Sequence, residues 1–199
     1  MLYTIVFVLH ILSVVAVFAS LALDWLATAG LRRAERAHDA RPWVWALQVS
    51  AAFGPWARIA VLGFGLFLAF DAWSWQGWII VALASWLALV LLGGGAFTGR
   101  TLRQMVALVN TEEADAAAPF ASQVRVPWMW VLVLTRLGLA VGLVCDMTLK
   151  PSPVIGAIMV LVGAGVGLAL SQWLSDASYR AHGRESSDPR NTDGQVPTQ

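Results

Sequence analysis

Five long apolar stretches constrain this chain more than any other feature. They run from about Leu2 to Leu26, Ala51 to Phe70, Gly77 to Phe97, Pro127 to Cys145 and Val154 to Leu174. A helix rises about 1.5 Å per residue and needs roughly 20 apolar residues to cross a hydrocarbon core of about 30 Å. None of the stretches alternates with period two, which argues against a β-barrel. Only 13% of the residues are charged, against about 25% in a soluble domain, so most of the chain has lipid as its solvent. The reading is an all-α, polytopic transmembrane bundle of about five spans. Residues 1–176 form the bundle and residues 177–199 a disordered tail.

Ala27-Thr28-Ala29 has the form of a leader-peptide cleavage site. No basic side chain precedes the apolar run, however, and the run outlasts the roughly 7–15 residues of a leader core. The expectation is an uncleaved anchor. Gly54-Pro55 interrupts the second stretch near one end and predicts a local break there. Trp43 to Val49 reads as a short amphipathic helix along the interface.

The connecting segments alternate in charge. Arg32, Arg33, Arg36 and Arg41 follow the first span, Arg100, Arg103 and Arg125 follow the third, and Arg180, Arg184 and Arg190 follow the fifth. The other two connections, Asp71–Trp78 and Asp146–Pro153, hold only Lys150. Retained basic residues mark the cytoplasmic side, which predicts the N-terminus outside and the C-terminus inside a bacterial plasma membrane. Tryptophans favour interfaces. Trp73, Trp75 and Trp78 fall at the expected outer edge, and Trp25, Trp43, Trp45, Trp56, Trp128, Trp130 and Trp173 at or near the inner one. Trp86 alone sits mid-span.

Asn110–Arg125 reads as an acidic, alanine-rich inner loop, and Ala181–Gln199 has too few apolar residues to fold. Gly93–Gly95 follows no strand, which argues against a nucleotide loop; close packing or a bend at the inner end of span three is the better reading. The single cysteine, Cys145, excludes an internal disulfide.

The polar residues inside the spans are the candidate functional ones. His10, Ser13, Ser20 and Asp24 project within roughly 80° of one another on a helix, a stripe that should face protein or water. Arg58 lies on span two, about 10 Å inside the expected cytoplasmic edge, and Arg136 on span four, about 13 Å from that edge and close to the bilayer centre. A central arginine costs about 3 to more than 10 kcal/mol unless it is paired or hydrated. Asp24 is the one acid placed to help, and the expected pair is Asp24 with Arg58. The surplus positive charge then calls for a water-filled cavity, a bound anion or an acid from a partner subunit. His10, with Met147 or Met159 as a thioether companion, suits haem or copper(I) better than zinc. His10 is thus the candidate metal ligand, and Arg58 and Arg136 are candidate partners for haem propionates. Gly138 and Gly142 on span four, and Gly163 and Gly167 on span five, form GxxxG motifs that allow close helix approach. The short connection between these spans makes them an antiparallel hairpin, in which the two motifs are expected to meet.

"LHILSVVAVFASLALDWL" resembles the first span of small bacterial membrane proteins related to copper-resistance protein D, and the small membrane-embedded protoporphyrinogen oxidases open similarly. "DMTLKPS" (Asp146–Ser152) resembles the penultimate loop of a group of integral membrane proteins of unknown function. The resemblance implies a small helical bundle whose first-span histidine, here His10, binds haem or copper. The basic residue that accompanies the histidine in the oxidases is missing unless Arg136 replaces it, and span two offers no further ligand.

The expected function is therefore a membrane binding or accessory protein, with haem b as candidate cofactor. Alternatives are a small transporter, whose pathway the polar stripe and Arg136 would line, and a structural subunit whose Arg136 meets a partner's acid. Oxidase activity ranks last. The expected surroundings are the lipid bilayer, with a second copy or a membrane subunit as candidate partner and no nucleic acid.

Overall fold

The computed structural model describes residues 1–34, 36–73, 75–94, 102–110 and 127–185. Among them every regular element is helical: α1 (Leu2–Arg33), α2 (Ala37–Leu68) extended by a π-helical turn (Ala69–Trp73), α3 (Gly77–Gly94), α4 (Leu102–Asn110), α5 (Pro127–Leu149) and α6 (Pro153–Glu185). Four helical stretches are long and apolar enough to cross a membrane: Leu2–Arg33, His38–Asp71, Trp128–Leu149 and Pro153–Leu174. The apolar part of α3, Gly77–Gly93, is shorter. Residues 95–101, which include the end of the expected third span, lie outside the described residues. The surface is apolar: Leu91 and Leu161 are each 70% exposed and Val154 is 68% exposed. Faces of that kind, on helices of this length, belong in lipid.

The bundle is built on two antiparallel hairpins. In the first, Trp43 lies against Gly30, Ser50 against Ser20, and Gly65 against His10, so positions on α2 rise as those on α1 fall. In the second, Gly156 meets Asp146, Gly163 meets Gly138, and Gly167 meets Leu134. Lys150 makes this turn possible. Its φ of 48° is left-handed, and its N–H donates to the Asp146 carbonyl at 2.9 Å, closing the end of α5. Helix α3 packs chiefly on α5, and α1 also touches α5.

The N-terminus and the α5–α6 turn share one end of the bundle. The other end carries Arg32, Arg33, Arg36 and Arg41 and is called the arginine end below. Ala27, Leu31, Ala40, Val44, Leu47 and Met129 form a core there, closed by Met105 and Val109 of α4. A second core at mid-depth joins Val17, Leu21, Ala57, Leu89, Leu139, Ala140 and Val160. In lipid, such contacts hold helices together by van der Waals packing, which interhelical hydrogen bonds supplement.

The structure departs from the sequence reading in four places. Trp43–Val49 is no separate interfacial helix; it belongs to α2, which starts at Ala37 and runs through both Pro42 and Pro55. No break follows Gly54-Pro55, because α2 is anchored against α1 on both sides of the proline. Residues 177–185, expected to be disordered, continue α6 as helix. Extending a formed helix fixes one residue per added hydrogen bond, which is far easier than starting one. Residues 186–199 lie outside the described residues, as does the acidic loop from 111 to 125. Finally, part of the connection expected after span three, Leu102–Asn110, forms α4. Leu102, Met105, Val106 and Val109 have helical spacing and pack on the arginine-end core.

Candidate functional site

Asp24 organises a buried polar cluster between α1, α2 and α5. Arg136 Nη1 donates to Asp24 Oδ2 at 3.1 Å, with side-chain exposures of 4% and 10%. Ser50 donates to Asp24 Oδ1 at 2.6 Å, and Ser20 lies 3.0 Å from the Ser50 hydroxyl. One consistent proton arrangement runs from Ser20 to Ser50 to Asp24. Gly93 of α3 leaves room for the arginine: a Cβ there would stand 2.8 Å from Arg136 Nη2. Arg58, half-buried, faces the same space and interacts electrostatically with both Arg136 and Asp24.

The expected Asp24–Arg58 pair is thus replaced by Asp24–Arg136, and the reason is helix length. Asp24 lies nine residues from the end of α1 and Arg136 nine residues from the start of α5, so both sit about 14 Å in from the arginine end of their helices. Because α2 begins at Ala37, Arg58 lies 21 residues along it, about 31 Å. Neither Arg58 nor Trp56 is near the helix end where the sequence reading put it. Arg58 is held in place through its backbone as well, where Trp86 Nε1 donates to its carbonyl at 3.3 Å.

Around this cluster is a cavity of about 20 Å³, bounded by Ser20, Asp24, Ser50, Arg58 and Arg136 and closed by apolar side chains such as Leu47 and Met129. That is room for about one water-sized body. Arg136 Nε is buried there without a hydrogen-bond partner.

His10 belongs to a different space. It lines an apolar cavity of about 630 Å³ between α1, α2, α3 and α5, in the half nearer the N-terminus. Gly65 makes its seat, since a Cβ at that position would lie 3.1 Å from the imidazole Cε1. Nδ1 is buried without a hydrogen-bond partner, although the Val61 backbone is close enough to interact with the ring. Met147 lines the same cavity, with Thr148, Lys150 and Trp78 among the few other polar groups. Met159 does not line it. Neither Arg58 nor Arg136 lines it either, so the structure separates the residues that the sequence reading grouped around one cofactor. Between the two cavities stand Val17, Leu21 and Leu89 of the mid-depth core; a pathway along the polar stripe would need that layer to open.

The remaining stripe residue, Ser13, is buried and donates to the Leu9 carbonyl at 2.7 Å. On α5 and α6, Gly138, Gly142, Gly163 and Gly167 lie at the helix contact, where a Cβ on any of them would run into the opposing backbone. Ala27 and Thr28 of the cleavage-like triplet are fully buried in α1.

Three residues escaped the sequence reading. Ser50 could have been found from antiparallel pairing of α1 and α2, which sets residue 50 opposite Ser20, whereas Gly65 lies five positions beyond the residue that the same pairing sets opposite His10. Asp146, read as a loop residue, is wholly buried against Gly156, with neither carboxylate oxygen hydrogen-bonded. No family model, curated protein or solved structure matches this chain.

Proposed function

We propose that the chain is a membrane-embedded binding protein for a small apolar or amphiphilic molecule, with haem b as the first candidate. The observation that carries this reading is the placement of His10 and Met147 on one cavity of about 630 Å³. Ligand pockets commonly measure about 300–1,000 Å³, with mostly apolar walls and a few convergent polar groups. This cavity has that character, and the donors on it suit the group. An imidazole with a buried, unpartnered nitrogen and a thioether are the axial ligand types of b- and c-type haem proteins. Haem would supply a redox-active iron; the chain's own part is to exclude water with Val14, Phe18, Leu66 and Leu89 and to orient the imidazole against Gly65. Lys150 lines the cavity and offers a basic side chain for an anionic edge, a role that the sequence reading gave to Arg58 and Arg136. The same His–Met pair would also accept copper(I).

The location that fits this reading is a bacterial plasma membrane with the N-terminus outside. The ten basic residues in the loops and tail that the sequence assigns to one side, against Lys150 on the other, support it.

The test is an absorption spectrum of the protein purified from haem-supplemented cells, with and without dithionite. A Soret band that is lost in His10→Ala and shifted in Met147→Leu is expected. A colourless wild-type protein, or a band unchanged in His10→Ala, would overturn the assignment of haem to this cavity.

A further inference from the structure

A second site lies at the other end of the polar stripe. We propose that the small cavity between Arg58 and Arg136 binds one small monovalent anion, of the size and charge of chloride. Two guanidiniums and one carboxylate face it, which leaves one positive charge without a counter-charge among the described residues. Asp24 is hydrogen-bonded by Arg136 Nη1 and by Ser50, so its one negative charge, felt by Arg58 as well, is shared between two guanidiniums. Among the described residues the Arg58 guanidinium makes no hydrogen bond or ion pair, and Arg136 Nε is buried without a partner in a residue only 3% exposed. Both unmet donor sets belong to residues that line this cavity.

The surroundings strengthen the case. Leu47, Ala51, Leu102, Met105 and Met129 complete the wall. Charges enclosed by apolar groups interact far more strongly than charges in water, so an unmatched guanidinium here is costly and an anion correspondingly well held. The volume of about 20 Å³ sets the class of ligand. It matches a body of about the size of water, which favours a monatomic anion over sulfate, phosphate or a carboxylate with its carbon skeleton. The Ser50 hydroxyl is engaged with Asp24 and the Ser20 hydroxyl with Ser50, so recognition falls to the two arginines. This site shares no residue with the His10 cavity, and the two proposals stand or fall separately.

The experiment is thermal unfolding of the full chain in mild detergent, in sodium chloride, bromide, sulfate and gluconate at matched ionic strength. Arg58→Gln and Arg58→Lys are measured beside the wild type, so that general salt effects cancel. A saturable rise in midpoint of roughly 2–6 °C in chloride and bromide over gluconate is expected. It should disappear in Arg58→Gln and survive in Arg58→Lys. Arg58 is half-buried and makes no side-chain hydrogen bond among the described residues, so its replacement should leave the fold intact. Equal midpoints in chloride and gluconate would overturn the proposal. So would a halide effect that persists in Arg58→Gln, or a sulfate effect as large as that of chloride.

Discussion

Asp24 and Arg136, 112 positions apart in sequence, meet in a 3.1 Å ion pair that ties α1 to α5. Both side chains are almost closed to their surroundings, so the value of the pair lies in its completeness. Removing one partner of a buried pair strands the other charge and costs about 3–5 kcal/mol, whereas replacing both with apolar groups can be nearly neutral. Asp24→Ala and Arg136→Leu should each lower stability by about that amount. The double variant should recover a large part, giving a coupling of at least about 1 kcal/mol in a double-mutant cycle. Unfolding in mixed micelles would measure it, and simple additivity of the two losses would show that the pair is not an energetic unit.

Gly93 tests the same contact from the side. A Cβ at this position would sit 2.8 Å from Arg136 Nη2 and 2.9 Å from its Cζ. The obstacle is the far end of a flexible side chain, which can move. Gly93→Ala should therefore cost only about 1–2 kcal/mol, by pushing the guanidinium off Asp24. In the Asp24→Ala background the same substitution should cost clearly less. An equal cost in both backgrounds would place the strain elsewhere.

How much of this was legible in the sequence follows from the range of each interaction. The helical bundle was legible because lipid leaves few alternatives: every backbone group must be satisfied internally, and the apolar runs are long. The buried stripe of Ser13, Ser20 and Asp24 was legible because helical periodicity is local. The choice of Arg136 over Arg58 was not, since it depends on where α2 begins. The apolar run starts near Ala51, but the helix starts at Ala37, and that difference moves Arg58 by about 21 Å along the axis. The role of Gly93 was only half legible. Its small size suggested a close approach, but the partner, Arg136, lies 43 positions away and is brought to it only by the packing of α3 on α5.

The α5–α6 interface gives a sharper contrast between glycines. At Gly138 a Cβ would collide with the Gly163 carbonyl, and at Gly163 with the Gly138 carbonyl. Backbone cannot yield as a side chain can, so Gly138→Val or Gly163→Val should separate the helices and cost about 2–3 kcal/mol. Gly165, on the same helix as Gly163, and Gly63 on α2 meet nothing within 4 Å. Gly165→Ala and Gly63→Ala should be neutral or should stabilise by up to about 1 kcal/mol through helix propensity. The four variants can be compared by thermal inactivation in detergent; a Gly165→Ala as damaging as Gly163→Val would mean that α6 has a second close partner.

Asp146 presents the opposite situation from Asp24. It is wholly buried at the turn end of α5, pressed against Gly156, and neither oxygen has a hydrogen-bond partner. A buried polar group in that state costs about 1–3 kcal/mol. Its backbone carbonyl, by contrast, is used, accepting from the Lys150 N–H at 2.9 Å, and that bond survives any side-chain change. Asp146→Ala removes the unmet carboxyl and opens a small void whose cost is about 1 kcal/mol. The balance should leave the variant as stable as the wild type or more stable by about 1 kcal/mol, an unusual outcome for truncating a buried residue. A loss of more than about 1 kcal/mol in both Asp146→Ala and Asp146→Asn, measured by unfolding in mixed micelles, would show that the carboxyl has a partner in the membrane. The cheaper comparison is Asp146→Asn, which keeps the shape and removes the charge. If Asn retains wild-type stability while Ala loses it, the side chain acts through its shape against Gly156 and Pro151 rather than through its proton.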